Sequence, residues 1–424
     1  MSTVPESNSG RRKTKLVLLD QAIVSGANFV IGLVLARFLG PAGYGQFVLT
    51  YNIILFIAGV QAALIIAPMM VNSGTLPTDQ RSHYLRTVTL QQVLFCLILA
   101  IAIFVAVKIL NPVFPQWGLD TLLWALIFAT LSVLFQDFFR RYFFANDRAG
   151  AAGLNDLVTH GGKFVLLVAL GLAAQLSVTN ALWIVGVSSA LGVVLAVLTS
   201  GLQKNTPTVD STNLSQVTQK HWTFGKWLLA ESLVYWCGSQ LVIYVAGQVV
   251  STTLVGAMSA AANAVGMVNI LFLAIENLVP TRAAAIYAKG GKASLIRYLK
   301  RVAIIGGGTI LAIVVVASLW SEYWLKLFYG AAYAGYGWMI VWWSGYYLMS
   351  FLQRPLSIGL RVLGNTRDLF LASLCSALVA ICLSYPIIRF GGATGVMIAV
   401  CLVHACTLLV LALRFRHTLQ RRNA

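Results

Sequence analysis

SGANFVIGLVLARFLGPAGYGQFVLTYNIILFIAGVQAALIIAP, Ser25 to Pro68, is the stretch whose reading decides the fold. It holds two apolar runs, each long enough to cross a bilayer, joined by the GPAGYG segment. About 20 apolar residues span the ~30 Å hydrocarbon core as a helix. No water is available there to satisfy backbone groups, so each run must be helical. Gly40-Pro41 ends the first run, because proline lacks an N–H and biases the residue before it away from the helix. Gly43 and Gly45 let the chain turn back. The unit is a transmembrane hairpin, and the chain repeats it to the end.

Composition agrees. Of 424 residues, 59% are hydrophobic and only 10% charged, against about 25% charged in a soluble domain. The mean hydropathy is +0.82. The formal charge of +18 could indicate nucleic acid, but cytoplasmic loops of membrane proteins are basic too, and the charge distribution favours the membrane. The six cysteines lie inside apolar runs without a CxxC pair and read as small apolar fillers. RRKTK before an apolar run imitates a signal peptide, but Asp20 interrupts that run and no small-residue cleavage site follows.

Run length places about twelve spanning helices in an all-α membrane protein: 16–38, 44–71, 88–110, 121–144, 152–174, 179–201, 222–247, 253–279, 297–319, 334–353, 367–388 and 393–413. The expected organisation is a basic tail 1–15, a six-helix lobe 16–201, a polar linker 202–221, a second six-helix lobe 222–413 and a basic tail 414–424. With both termini in the cytoplasm, nearly all Lys and Arg fall on one side, among them Arg81, Arg86, Arg148, Lys220, Arg282, Lys289, Arg297, Arg354, Arg361 and Arg416. The opposite side keeps Arg37, Lys108, Lys326 and Arg389. That is the positive-inside pattern. A faint internal echo accompanies it: Gly45 precedes Pro68 much as Gly256 precedes Pro280. The aromatic segment around 319–343 reads as an interfacial belt, with a sugar-stacking platform as the alternative.

No P-loop, zinc-protease helix or other enzyme motif is present, and no cofactor or metal is called for. Charges inside spanning runs are the informative residues, since each costs about 2.5–3.5 kcal/mol at a helix centre. Lys163 and Glu231 lie deepest. Asp20, Asp137 and Glu276 lie nearer one surface, and Arg37 nearer the other. Asp137 and Arg141 are spaced to pair on one helix face. Asp156, His160 and Lys163 form a polar stripe, as do Gln21, Ser25 and Asn28, and Glu231, Tyr235 and Ser239. Such stripes line a watery cavity or an interhelical hydrogen-bond seam; Lys163 and Glu231 could also pair with each other.

ARFLGPAGYGQF after SGANF resembles the first hairpin of bacterial polysaccharide-transport proteins, the Wzx-like O-antigen and exopolysaccharide flippases of the MATE-containing MOP exporter superfamily. FRRYFFANDRAGAAGLNDLVTHGGKFVLLVALGL (139–172), LFYGAAYAGYGWMIV (327–341) and GLRVLGNTRDLFLASL (359–374) look like later segments of that family. The resemblance implies two six-helix lobes around a central cavity with alternating access. It also implies a substrate of oligosaccharide on polyprenyl pyrophosphate, moved from the cytoplasmic to the outer leaflet of the bacterial inner membrane, and no enzymatic activity. Lys163, Arg37, Arg140 and Arg141, with His160 and Asn28, would then meet the substrate; Glu231, Glu276 and Asp20 are the ion-coupling candidates. Many relatives have an acidic residue where this chain reads CGSQLVIYV (237–245), and Glu231 stands two turns earlier. Implied partners are the lipid-linked oligosaccharide, membrane lipids, and the polymerase and glycosyltransferases of the same pathway. The rival readings are a multidrug cation antiporter, a polysaccharide polymerase or ligase, and a structural subunit of an export assembly.

Overall fold

The computed structural model describes residues 8–200 and 211–421; the side chains of 8–25, Asn28, Thr78, Asp79, Gln116, 211–213, Ala274 and Arg421 lie outside the description. Among the described residues there is no strand. The helices are α1 (Asn8–Gln61), a π turn (Ala62–Ile66), α2 (Ala67–Thr75), α3 (Thr78–Leu110), α4 (Leu119–Ala145), α5 (Ala149–Leu172), α6 (Val178–Ser200), α7 (Ser211–Val249), α8 (Thr252–Val265), α9 (Val268–Leu319), α10 (Ser321–Tyr329), α11 (Trp338–Val362) and α12 (Thr366–Arg421).

Three of these rods are far longer than a bilayer requires: 54, 52 and 56 residues for α1, α9 and α12. Each contains one glycine with positive φ, at Gly40, Gly291 and Gly392, a region L-residues with a Cβ avoid. Each glycine falls where apolar run length breaks one crossing from the next, so each rod is two crossings joined at a sharp corner. Pro41 follows the first corner as an opening helical residue, where a missing N–H costs nothing. By length and composition, seven of the described helices are apolar enough to cross a membrane. Dividing the three long rods at their glycines and adding α5 and α11, with α8 and the first arm of α9 as one broken crossing, gives the twelve expected from the sequence. The eighth is interrupted at Gly266–Met267, which run length did not foresee.

The residues fall into two compact units, 1–38 with 50–230, and 39–49 with 231–424. One division lies at 230/231, inside α7; much of the polar linker expected at 202–221 lies outside the described residues. In the first unit, α4 packs against α6, α5 and α3. Its core gathers Ile65, Ile66, Met69, Leu85, Phe138, Phe139 and Phe143. The first stretch of α7 joins this unit through Gly225, where an added Cβ would sit 2.5 Å from the Ala63 carbonyl oxygen on the π turn. Outward, α3 exposes Leu97, Ile98, Ile101 and Ile109. In water such a row would be an aggregation face; in a bilayer it is the lipid face.

In the second unit, α11 packs against α9, α12 and α8. Residues 39–49 belong here because they lie against α8. A Cβ on Gly45 would fall 1.8 Å from the Thr252 carbonyl oxygen, and one on Gly256 would fall 1.8 Å from that of Pro41. The contact is symmetric: in each strand of the crossing, a glycine faces the carbonyl four residues before the other glycine. These are the two glycines of the sequence echo. The Tyr244 hydroxyl donates to the Leu49 carbonyl at 3.0 Å and fixes the same segment from α7.

The loop after α10 is pinned by Glu322, whose carboxylate accepts from the backbone N–H of Gly335 at 2.7 Å and of Gly337 at 3.0 Å. The Gly335 N–H, then that of Gly337 and the nearby Lys326, hold this carboxyl below its ordinary value. A depressed folded-state pKa means stability that is present above the unfolded value of about 4.5 and is lost as pH falls. Thermal stability of the purified protein should therefore drop on acidification below that point. Glu322→Gln should flatten part of this drop; an unchanged profile would remove Glu322 from the effect.

Candidate functional site

A buried polar cluster sits on α4, α5 and α6 of the first unit. The Arg140 Nε donates to Asp156 Oδ2 at 2.6 Å, with side chains 13% and 6% exposed. The Gln136 Nε2 donates to Asn155 Oδ1 at 2.8 Å and to Asp156 Oδ1 at 3.1 Å. Asn155 Nδ2 in turn donates to the Gly192 carbonyl on α6 at 2.6 Å. The close approach of α6 needs that glycine, since a Cβ there would fall 2.3 Å from Thr159 Oγ1. Around this network Thr159, Ser188 and Ser189 are buried. Thr159 Oγ1, Ser188 Oγ and His160 Nδ1 have no hydrogen-bond partner.

Lys163 belongs to the same face, 5% exposed and about 21 Å along α5 from its start at 1.5 Å per residue. His160 lies in the electrostatic field of both Lys163 and Arg140. No hydrogen bond or ion pair joins Lys163 to another described residue. The cluster's carboxylate, Asp156, is already held by Arg140, so among the described residues Lys163 is its surplus charge. A buried cation with an unmatched charge, beside two unpartnered hydroxyls and an imidazole, is suited to an anion.

The sequence-derived residues separate accordingly. Arg140, His160 and Lys163 come together. Arg141 instead forms the half-buried i,i+4 pair with Asp137, at 3.4 Å. Arg37 is exposed beside the Gly40 corner. Glu231 is exposed on α7 in the second unit, whereas Lys163 is in the first. Glu276 is exposed and paired to Arg354 of α11, whose guanidinium lies 4.0 Å over the Phe272 ring. The Asp20 and Asn28 side chains lie outside the described residues. Sequence reading missed Gln136, Asn155, Thr159 and Ser188 as members of the cluster. The i,i+4 spacing of Gln136 and Arg140, matching that of Asp156 and His160, was the available signal.

A family model described as MatE matches residues 228–386. No curated protein matches the chain in sequence. Solved structures are similar over nearly its full length. An inward-facing multidrug resistance MATE transporter of the MOP superfamily has TM-score 0.73 at 14% identity, covering 93% of this chain and 95% of the other. The lipid II flippase MurJ, in an inward closed conformation, has TM-score 0.71 at 13% identity, covering 94% and 87%. A MOP superfamily transporter from Pyrococcus furiosus, with a binding pocket of reversed polarity, has TM-score 0.59 at 13% identity, covering 95% and 94%. The chain is a multi-pass membrane protein with the all-helical fold of MOP-superfamily transporters.

Proposed function

We propose that the protein is a flippase that carries an oligosaccharide on polyprenyl pyrophosphate from the cytoplasmic to the outer leaflet by alternating access. The membrane would be the bacterial inner membrane, with both termini in the cytoplasm. One observation carries the reading: Lys163 is buried mid-helix, and the carboxylate of its cluster is already neutralised by Arg140. A buried surplus cation needs a ligand of opposite charge, and a diphosphate supplies one with many acceptor oxygens. Arg140 serves as the partner that keeps Asp156 from competing for Lys163. Basic residues on the cytoplasmic side gather the anionic carrier. Moving negative charge outward through an inside-negative potential releases about 2.3 kcal/mol per charge per 100 mV, which can drive transport without an ion site.

In proteoliposomes loaded with a fluorescent polyprenyl-pyrophosphate oligosaccharide, Lys163→Ala should reduce flipping at least tenfold, and Lys163→Arg should retain most of it. Wild-type rates in Lys163→Ala would sink the assignment of that residue. The second reading is a multidrug cation antiporter. It is supported by the MatE match and the likeness to multidrug transporters, and it uses Glu231 or Glu276 for coupling. Ethidium efflux that collapses in Glu231→Gln, with no lipid flipping, would favour it.

A further inference from the structure

A groove of about 370 Å³ opens in the second unit where α8 stops and α9 begins. Its walls come from Ala264, Met267, Ala312 and Ala317, and its roof is α10, through Trp324 and Phe328. These two rings stack at 5.9 Å with their planes 14° apart. Leu325 and Tyr329, on the adjacent face of α10, are buried and hold the helix down.

We propose that this groove holds one acyl tail of a membrane phospholipid, lying under α10 as a resident part of the structure. Three observations converge on that occupant. Every lining side chain is apolar, so water entering would lose hydrogen bonds, and apolar cavities of about 150 Å³ already exclude water and take benzene. The groove runs into a face of α9 that exposes Ile305, Leu311, Val315, Val316 and Leu319, so a tail enters from the bilayer itself. On α10 and the residue before it, next in sequence to the lining, Trp320 and Tyr323 are exposed and Lys326 is half exposed. Aromatic rings and a cation at that level suit the headgroup region. The break at Gly266–Met267 makes the space: a continuous helix would carry side chains through it. This reading is independent of what the protein transports.

The test combines lipid counting with a depth-selective quencher. Wild type, Ala317→Phe, Ala312→Leu and Trp324→Phe are reconstituted with phosphatidylcholine brominated in one acyl chain, then returned to detergent and washed. The wild type should retain about one phospholipid per chain by mass spectrometry. It should also keep bromine quenching of the fluorescence that Trp324→Phe removes. Both signals should fall several-fold in Ala317→Phe, and in the milder Ala312→Leu should Ala317→Phe fail to fold. Equal retention in the filled variants would overturn the proposal. So would a retained lipid that is a polyprenyl phosphate, or a crosslink through Trp324→Cys to a second copy of the chain.

Discussion

Gly45→Ala and Gly256→Ala should each abolish most recovery of monodisperse protein, with a loss at or above the top of the ~1–3 kcal/mol range for overpacking. The reason is what the added methyl meets. At Gly45 it would lie 1.8 Å from the Thr252 carbonyl oxygen, and at Gly256 the same distance from that of Pro41. Side chains can change rotamer, but these neighbours are backbone, and relief means separating two helices. Gly345→Ala is the control. Nothing lies within 4 Å of its added methyl, and in a helix alanine is favoured over glycine by about 1 kcal/mol. Thermal melting and size-exclusion profiles in detergent should rank Gly345→Ala at or above wild type and the other two far below. Near-native melting of either crossing variant would mean that the two segments do not touch as described.

Asp156→Ala should cost about 3–5 kcal/mol, the usual result of removing one partner of a buried ion pair. It takes the carboxylate away from Arg140, only 13% exposed, and removes an acceptor from Gln136. The double variant Arg140→Met with Asp156→Leu should recover most of that loss, because neither member of the pair is left facing a missing partner and similar volume is kept. Thermal unfolding of the three variants decides. A double variant as unstable as Asp156→Ala would show that the network, rather than the broken ion pair, sets the cost. The double variant also keeps Lys163, so flipping measured in it separates the lysine's role from the scaffold beside it.

Much of this molecule is legible in one sequence because hydrocarbon leaves helices few alternatives. Run length and the Gly40-Pro41 step place the crossings, and the three positive-φ glycines lie where those runs break. The stripe of Asp156, His160 and Lys163 is likewise readable, since it lies on one helix. What crosses between helices is not. Nothing in the composition of α4 says that Arg140 rather than Arg141 turns inward to Asp156; the two differ by one position and about 100° around the helix. Glu276 and Arg354 are separated by 78 positions and could be joined only once α9 and α11 were known to pack. The assignment of 39–49 to the second unit was hidden for the same reason, although the echo between Gly45 and Gly256 marked the two residues that meet.

That assignment has a consequence for how the protein is made. Gly45 leaves the ribosome early, but the segment it packs against follows roughly 210 residues later, a wait of about 10–40 s at 5–20 residues per second. Throughout that time the corner after Gly40 has no Thr252 or Gly256 to rest on. The first unit is also open until residue 230 arrives, because the start of α7 completes it. The second unit therefore takes in a segment made long before the rest of it. Biogenesis must hold the 39–49 segment in the membrane, inserted but unsettled, until the later part of the second unit arrives.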